Sequence, residues 1–155
     1  MLIRNLRESD LDAVLRINAA TSPATVLWTR AMYAEALADA SPGKIWVAEE
    51  QGCVAGFICF RVVLKEVQVP NFAVDPRWQG KGIGSVLLEN VWRSAVEAGA
   101  EEMTLEVRQS NAAALRFYKR HGFEQERVRP RLYSAPPEDA ICLVRKRLQT
   151  GIGQQ

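Results

Sequence analysis

Residues 74–85 read VDPRWQGKGIGS, and this stretch joins an apolar, strand-like segment to the longest helical pattern of the chain. A turn-forming Asp-Pro pair comes first, and Gly80, Gly82 and Gly84 then lead into the predicted helix. Because glycine has no Cβ, backbone N–H groups can approach an anion closely at such positions. The start of a helix adds unpaired N–H donors and a partial positive charge. The stretch predicts a phosphate-binding loop, and an ordinary glycine turn before a helix is the alternative.

The glycine spacing does not match two common nucleotide-binding loops. A Walker A loop, GxxxxGK[ST], has its lysine directly before a serine or threonine, whereas Lys81 lies between two glycines. A dinucleotide-binding loop has the spacing GxGxxG, whereas these glycines alternate. That loop also needs an acidic residue at the end of the next strand, and the candidates Glu101 and Glu102 lie at its beginning. Both interpretations are disfavoured, so the spacing alone leaves the phosphate ligand open.

Hydrophobic periodicity on both sides of this loop predicts the neighbouring elements. From Gly82 to about Gly99, apolar residues recur at helical spacing, and Gly99 predicts the end of the helix. Residues 102–108 alternate between apolar and polar side chains, as in a strand with one buried face. Earlier in the chain, Ser9 is the predicted N-cap of a first helix. Pro70 interrupts the strand before the loop and predicts a bulge or an unpaired stretch there.

The full order of predicted elements is β-α-α-β-β-β-α-β-α-β-β, which predicts an α/β or α+β fold with a mixed sheet. Residues 1–148 are predicted to form a single domain, because no repeat or linker interrupts them and a chain of 155 residues suits one core. Residues 149–155, which contain glycine and glutamine, are predicted to be a flexible tail.

The composition disfavours several classes of function. Twenty Lys and Arg against eighteen Asp and Glu give a net charge of +2, which is too small for a dedicated nucleic-acid binder. His121 is the only histidine, and Cys53, Cys59 and Cys142 form no CxxC pair, so we expect no metal site and three buried, reduced cysteines. The charged start of the chain and the lack of an apolar run near ~20 residues predict a cytoplasmic protein without membrane contact.

The loop resembles that of a known enzyme family. Gln79-x-x-Gly82-x-Gly84 matches the Q/R-x-x-G-x-G/A pyrophosphate loop of the GNAT superfamily, the acetyl-CoA-dependent N-acetyltransferases. A later series is similar to the bacterial ribosomal-protein-alanine N-acetyltransferases (RimI type) and comprises LEVR at 105–108, Ser110-Asn111, Tyr118, Gly122-Phe123 and Glu138-Asp139-Ala140. The resemblance implies the GNAT fold, in which a central mixed, mostly antiparallel sheet of about seven strands is splayed in the middle and flanked by about four helices.

The resemblance also implies acetyl-CoA as co-substrate, with no metal, and it assigns residues to coenzyme binding. The backbone of Phe72, Ala73 and Val74 would face the pantetheine arm and the acetyl group. The residues that would hold the pyrophosphate or the amide groups of the coenzyme are Gln79, Gly80, Lys81, Gly82, Ile83, Gly84, Ser85 and Asn111. Asn111 also lies where a helix cap is expected, and the two roles are compatible.

Acetyl transfer to an amine needs an acceptor for the proton of the amine and a donor for the departing thiolate. Glu106 lies on the polar side of its predicted strand, and the resemblance makes it the proton acceptor; a solvated ion pair is the alternative. Tyr118 lies two helical turns after Asn111, on the same face of the predicted helix. The resemblance makes Tyr118 the proton donor, and a buried core aromatic is the alternative.

The acceptor amine is the least constrained part of the predicted reaction. An N-terminal α-amine has a pKa near 7.7–8.0 and is partly neutral at pH 7, whereas a lysine side chain near 10.4 is not. We therefore expect acetylation of a protein or peptide N-terminus in a ternary complex. A lysine side chain, a small-molecule amine, or a non-catalytic acyl-CoA sensor are the alternatives. The resemblance places Trp28 and Tyr133 near the acceptor, although core packing also explains Trp28, and Asn18 stands where it implies an acidic residue.

Overall fold

The computed structural model describes residues 1–21, 28–38, 41, 43–134 and 136–148, so the predicted tail at 149–155 lies outside the described residues. Two short 3-10 turns, Glu8–Asp10 and Pro76–Trp78, accompany the helices and strands. These elements are β1 (Leu2–Asn5), α1 (Leu11–Thr21), α2 (Arg30–Glu35), β2 (Gly43–Glu50), β3 (Cys53–Val63), β4 (Glu66–Val74), α3 (Ile83–Glu97), β5 (Glu102–Arg108), α4 (Ala112–Arg120), β6 (Glu124–Ser134) and β7 (Pro137–Lys146).

The seven strands form a mixed sheet in the order β1-β2-β3-β4-β5-β7-β6. The β4–β5 pair is parallel, and the other neighbouring pairs are antiparallel. Pairing between β4 and β5 covers only Glu66–Gln68 against Glu102–Thr104, and beyond it the two strands diverge. The predicted order of elements and the mostly antiparallel, splayed sheet are therefore confirmed.

A bulge at Pro70 marks the point where β4 leaves β5. Cys59 of β3 pairs with Asn71 and Arg61 pairs with Gln68, so β4 holds one more residue than β3 between these two pairs. Proline has no N–H to donate to a neighbouring strand. Because the bulge redirects β4 directly after its last pair with β5, it contributes to the opening in the middle of the sheet.

The helices pack on both faces of the sheet. Successive side chains of a strand point to opposite faces, and on β3 Phe57 and Cys59 join one buried cluster while Ile58 and Phe60 join the other. The apolar side of α1, with Tyr33 of α2, covers the first face. The second face is covered by α3 and by the partly buried aromatic residues of α4. No helix within the described ranges combines the length and the hydropathy needed to cross a membrane.

Asp10, and not the predicted Ser9, stabilises the start of the first helix. Ser9 lies inside the 3-10 turn that precedes α1, whereas the buried Asp10 carboxylate accepts the backbone N–H of Arg7 at 2.7 Å. The same carboxylate accepts two bonds from Arg4, at 2.8 and 3.0 Å, which tie β1 to this turn. The prediction for Ser9 was wrong because the chain enters α1 through a tighter turn than the sequence pattern implies.

The prediction of three buried cysteines was wrong at one position. Cys59 and Cys142 are buried, but Cys53 is exposed. Cys53 is the first residue of β3 and follows the hairpin turn at Gln51 and Gly52, where φ is 52° and 77°. Cys53 therefore lies at the end of its strand, beside the turn and outside both buried clusters.

Asp10→Asn is expected to lower the free energy of unfolding by about 2 kcal/mol at pH 7, because Arg4 and Arg7 lose a buried charged acceptor. Burial alone would raise the pKa of Asp10, but the hydrogen bonds from Arg4 and Arg7 outweigh it and lower the pKa. A lowered pKa gives stability that is present above the unfolded value near 3.9 and is lost as the pH falls below it.

Urea unfolding at pH 7 and pH 3 measures this effect, and the wild-type advantage over Asp10→Asn is expected to shrink at pH 3. Asp12→Asn is the control, because the Asp12 side chain is 87% exposed and its ion pair with Arg30 lies at the surface. The control is expected to change stability by less than about 0.5 kcal/mol. Equal stability of Asp10→Asn and the wild type at pH 7 would contradict the prediction.

Candidate active site

Two clefts open where β4 and β5 diverge. The loop-side cleft, of about 790 Å³, lies between the second half of β4, the loop at 79–85 and α4. The β6-side cleft, of about 920 Å³, is lined by residues of α2, β2, β3 and β6. Six residues line both clefts: Trp28, Val69, Pro70, Leu105, Glu106 and Tyr133. Two molecules that entered from opposite sides would therefore meet beside Glu106.

The structure brings most of the predicted site residues to these clefts. Glu106, Trp28 and Tyr133 line both. The Lys81 side chain is exposed, and Lys81 is not among the residues that line the loop-side cleft. The other predicted residues line the loop-side cleft, namely Phe72, Ala73, Val74, Gln79, Gly80, Gly82, Ile83, Gly84, Ser85, Asn111 and Tyr118.

The loop at 79–85 has the backbone of an anion cradle. Gly80 and Gly82 have φ of 80° and 82°, a left-handed conformation that favours glycine. Gly82 is the N-cap of α3, and a Cβ built on it would have no heavy atom within 4 Å, so it faces open space. No side chain of the described residues caps this end of α3, whereas Thr29 and Asn111 cap α2 and α4. The first N–H groups of α3 are therefore free of side-chain caps beside a cleft, which fits a diphosphate.

The chain before this cradle is held by local hydrogen bonds. The buried Asp75 accepts the N–H of Arg77 at 2.9 Å, and its other oxygen accepts Nη2 of the same residue at 2.9 Å. The side-chain Nε2 of Gln79 donates to the carbonyl oxygen of Val74 at 3.2 Å, which links the end of β4 to the loop. These bonds orient the loop relative to β4 without using the N–H groups of Gly82–Ser85.

Glu106 lies on β5 beyond the last residue that pairs with β4. Its Oε2 accepts a bond from Nη1 of Arg129 at 2.6 Å and lies 3.5 Å from the Cys142 thiol. Burial and the neighbouring Glu106 raise the pKa of the Cys142 thiol, so the thiol stays protonated and can donate a hydrogen bond to the carboxylate. The carboxylate is one-third exposed at the junction of the clefts, so an incoming amine can reach it.

Tyr118 lies on α4 among aromatic rings. The ring centroids of Phe72, Phe117 and Phe123 lie 6.4, 5.2 and 5.3 Å from its own. Burial raises the pKa of Tyr118 above the usual value for tyrosine, which keeps the phenol protonated. Asn111 caps the same helix, because its Oδ1 accepts the N–H of Ala114 at 3.1 Å. The helix-cap interpretation of Asn111 is thus confirmed, and its Nδ2 is not used by this bond.

A buried polar network beside the bulge was missed by the sequence analysis. Oδ1 of Asn18 accepts bonds from the Tyr33 hydroxyl and from Nδ2 of Asn71, each at 2.8 Å. Nδ2 of Asn71 also lies 2.9 Å from the Tyr33 hydroxyl, and its Oδ1 accepts the N–H of Phe72 at 3.0 Å. The network joins α1 and α2 to β4 where it leaves β5. The available signal was Asn71, a polar residue directly after Pro70 in the apolar second half of the strand.

Arg108 and Glu138 position the wall of the cleft opposite the loop. The buried Arg108 donates to Glu138 at 3.1 Å and to the carbonyl oxygen of Pro136 at 3.2 Å. Its guanidinium lies 4.3 Å from the ring centroid of Tyr133. Glu138 also accepts the N–H of Ser110 just before α4. This arrangement holds Tyr133 and the start of α4 beside Glu106.

Metal ligation has no candidate within the described ranges, since no group of three or more His, Cys, Asp or Glu side chains is placed to hold an ion. The chemistry that the clefts do offer is a carboxylate at their junction, a protonated phenol nearby and an anion cradle at one end. These are the parts that acyl transfer from a phosphate-bearing donor to an amine would need.

Comparison with known proteins identifies a family that this chain resembles over most of its length. The Acetyltransferase (GNAT) family matches residues 11–123. A Bacillus subtilis protein provisionally named a [ribosomal protein bS18]-alanine N-acetyltransferase is 31% identical over 143 residues, which cover 91% of this chain and 92% of that protein. An N-alpha-acetyltransferase from Sulfurisphaera tokodaii is 33% identical over 154 residues, which cover 91% of this chain and 90% of the relative.

Solved structures extend the similarity to the fold. The crystal structure of the ribosomal-protein-S18-alanine N-acetyltransferase from Escherichia coli superimposes with a TM-score of 0.83 at 30% identity. The superposition covers 97% of this chain and 96% of that one. Since the family matches well over half of the chain and a relative above 30% identity covers nearly all of it, this chain belongs to the acetyltransferase (GNAT) family and is an N-acetyltransferase.

Proposed function

We propose that this N-acetyltransferase moves the acetyl group of acetyl-CoA to the N-terminal α-amine of a protein, of the ribosomal-protein-alanine type, in a ternary complex. The observation that carries the proposal is the meeting of two clefts at Glu106, one of them ending at an anion cradle. The names of the Bacillus, Sulfurisphaera and Escherichia relatives support an N-terminal acceptor.

The loop-side cleft would take the coenzyme. Its diphosphate would lie at Gly80–Ser85, and its pantetheine arm along Phe72–Val74, where β4 has lost its pairing with β5. Nδ2 of Asn111 would donate to a carbonyl oxygen of the arm. When bound, the coenzyme supplies an acetyl group activated as a thioester.

The residues of this chain would then move two protons. Glu106 would accept the proton of the attacking amine, and Tyr118 would donate a proton to the sulfur that leaves. An α-amine fits this site because it is partly neutral at pH 7, so a single carboxylate suffices as base. The amine would approach through the β6-side cleft and would replace Arg129 as the partner of Glu106.

A peptide panel tests the acceptor. The protein is incubated with acetyl-CoA and three peptides of one sequence: a free alanine N-terminus without lysine, a blocked N-terminus with an internal lysine, and both groups together. Thiol release gives the rate, and fragment mass spectrometry gives the acetylated nitrogen. Acetylation of the α-amine alone supports the proposal. Acetylation of lysine alone, or of small amines alone, replaces the acceptor, and coenzyme binding without turnover would show a sensor instead of an enzyme.

The proposed role of Tyr118 predicts the pH dependence of kcat. Because burial raises the pKa of Tyr118, the phenol stays protonated through the range in which an ordinary tyrosine, with a pKa near 10, begins to ionise. With the α-amine peptide at saturation, kcat is expected to stay level from pH 8.5 to pH 10 instead of falling by about half. Tyr118→Phe is expected to lower kcat by about 10²-fold at every pH without changing coenzyme affinity.

Circular dichroism at each pH is the control for folding. A wild-type kcat that halves by pH 10 while the protein stays folded would contradict the prediction that Tyr118 remains protonated. Wild-type turnover by Tyr118→Phe would instead remove Tyr118 from the chemistry.

A further inference from the structure

A network of hydrogen-bonded side chains connects β7 to the first turn of α3 through His121. Nδ1 of His121 lies 2.6 Å from Oε2 of Glu89, and Nε2 lies 3.0 Å from Oγ of Ser85. Arg145 of β7 donates to both oxygens of the same Glu89 carboxylate, at 2.8 and 3.2 Å. The His121 side chain is 15% exposed, and its ring packs 4.7 Å from that of Phe117. This hydrogen-bond network therefore has defined geometry and ends at Ser85, beside the anion cradle.

The donor and the acceptor of each hydrogen bond in this network follow from the charge of Glu89. Burial alone would raise the pKa of Glu89, but the bonds from Arg145 and His121 outweigh it and lower the pKa, so the group is a carboxylate. A carboxylate only accepts, so Nδ1 of His121 must carry a hydrogen. In the neutral ring Nε2 is then an acceptor, and the Ser85 hydroxyl must donate to it. In the imidazolium Nε2 is a donor, and the hydroxyl accepts from it.

The two states differ in what Ser85 can offer to an anion. With a neutral His121, the hydroxyl proton of Ser85 points to the ring and only oxygen lone pairs face away. With the imidazolium, the oxygen accepts from Nε2 and the hydroxyl proton is free. Ser85 lies in the first turn of α3 and lines the loop-side cleft. A diphosphate is an acceptor, so it favours the second state.

We propose that His121 is a positioning residue for the coenzyme, which as an imidazolium turns the hydroxyl of Ser85 so that Ser85 donates to the diphosphate at the start of α3. This inference rests on the proposed function, because it takes the diphosphate to lie at the cradle. It goes further in making binding of the coenzyme depend on the protonation of His121, the residue that directly follows α4.

The charges around the ring agree with this role. Glu89 of α3 and Arg145 of β7 face His121 and balance each other, so protonation leaves the group with one net positive charge. On α4 itself, Arg120 lies over the Phe117 ring at 5.8 Å. A net positive charge behind the first turn of α3 adds to the attraction of the helix start for an anion.

Calorimetric titration of the full-length protein with dephospho-CoA, between pH 5.5 and pH 8.5, tests the inference. The 3′-phosphate of CoA is a monoester whose second ionisation falls near pH 6, like that of other phosphomonoesters, and would hide the effect. The diphosphate of dephospho-CoA lacks this ionisation. Kd of the wild type is expected to rise by about tenfold from pH 5.5 to pH 8.5, because loss of the second ring proton of His121 turns the hydroxyl proton of Ser85 away from the diphosphate.

Two variants separate this role from simple packing. Ser85→Ala removes the hydroxyl and is expected to bind more weakly at low pH, keeping only the smaller part of the pH dependence that the charge on His121 causes by itself. His121→Gln places an amide N–H near the position of Nε2 without a titrating group, so it is expected to bind tightly at both ends of the range. Thermal unfolding checks that each variant is folded.

The outcomes distinguish the inference from the proposed function. A pH-independent wild-type Kd, or a Ser85→Ala variant that keeps the full wild-type pH dependence, would overturn the inference while leaving coenzyme binding established. If the wild type bound neither dephospho-CoA nor CoA at any pH, the proposed function would fail and this inference with it.

Discussion

Glu106→Gln is expected to lower kcat by about 10²–10⁴-fold with the α-amine peptide, because glutamine cannot take the proton of the attacking amine. Kd for acetyl-CoA is expected to change by less than about twofold, since Glu106 lies at the junction of the clefts and the proposed contacts of the diphosphate are made by the loop at 79–85. Stopped assays of thiol release measure kcat, and calorimetry measures Kd.

Glu102→Gln is a matched control for this change. Glu102 lies on the same strand and the same face as Glu106 and is partly exposed. It lines the β6-side cleft but not the loop-side cleft. It is expected to keep wild-type kcat. Because Glu106→Gln also leaves Arg129 without its carboxylate, the double variant with Arg129→Gln removes that unpaired charge and is expected to stay inactive. Wild-type turnover by Glu106→Gln would show that another group or water accepts the proton.

Gly82→Val is expected to weaken acetyl-CoA binding by at least about 10²-fold, a loss of about 2.7 kcal/mol. The reason is twofold. Valine at φ of 82° is strained, because a Cβ disfavours the left-handed region. Gly82 is also the N-cap of α3 and its Cβ position faces open space, so a side chain there would occupy space beside the proposed position of the diphosphate.

Gly99→Val separates these two causes. Gly99 follows the other end of α3 with φ of 104°, and its Cβ would also meet no heavy atom within 4 Å. Both variants are expected to lose stability to similar backbone strain, but Gly99→Val is expected to keep wild-type Kd for acetyl-CoA. Thermal unfolding and calorimetry measure the two effects. Equal Kd in Gly82→Val and the wild type would place the diphosphate elsewhere.

Local patterns predicted the order of elements because the information is short-range. The alternation at 102–108 predicts a strand with one buried face, and the structure has β5 there. The apolar repeat after Gly82 predicts α3, and Gly99 ends it. Two predictions were wrong because the detailed turn geometry is not visible in the pattern: the chain enters the first helix through a 3-10 turn in which Asp10 accepts the Arg7 N–H, and Cys53 is exposed beside the hairpin turn.

Side-chain partners in the site depend on strand order and register, which lie beyond any local pattern. Since β7 lies between β5 and β6, Cys142 pairs directly with Glu106 while Arg129 reaches it from β6. The order of the strands in the sheet cannot be predicted from the spacing of these residues along the sequence.

The amino-acid sequence alone was sufficient to predict the glycine loop, the helix after it and the family, because turn chemistry and periodicity act within a few residues. Only the folded chain decided that the sheet opens at Pro70, that two clefts join at Glu106, and that His121 reaches Ser85. Each of these features joins elements that are distant in sequence, and they meet only when packing of both faces of the sheet fixes where every strand and helix lies.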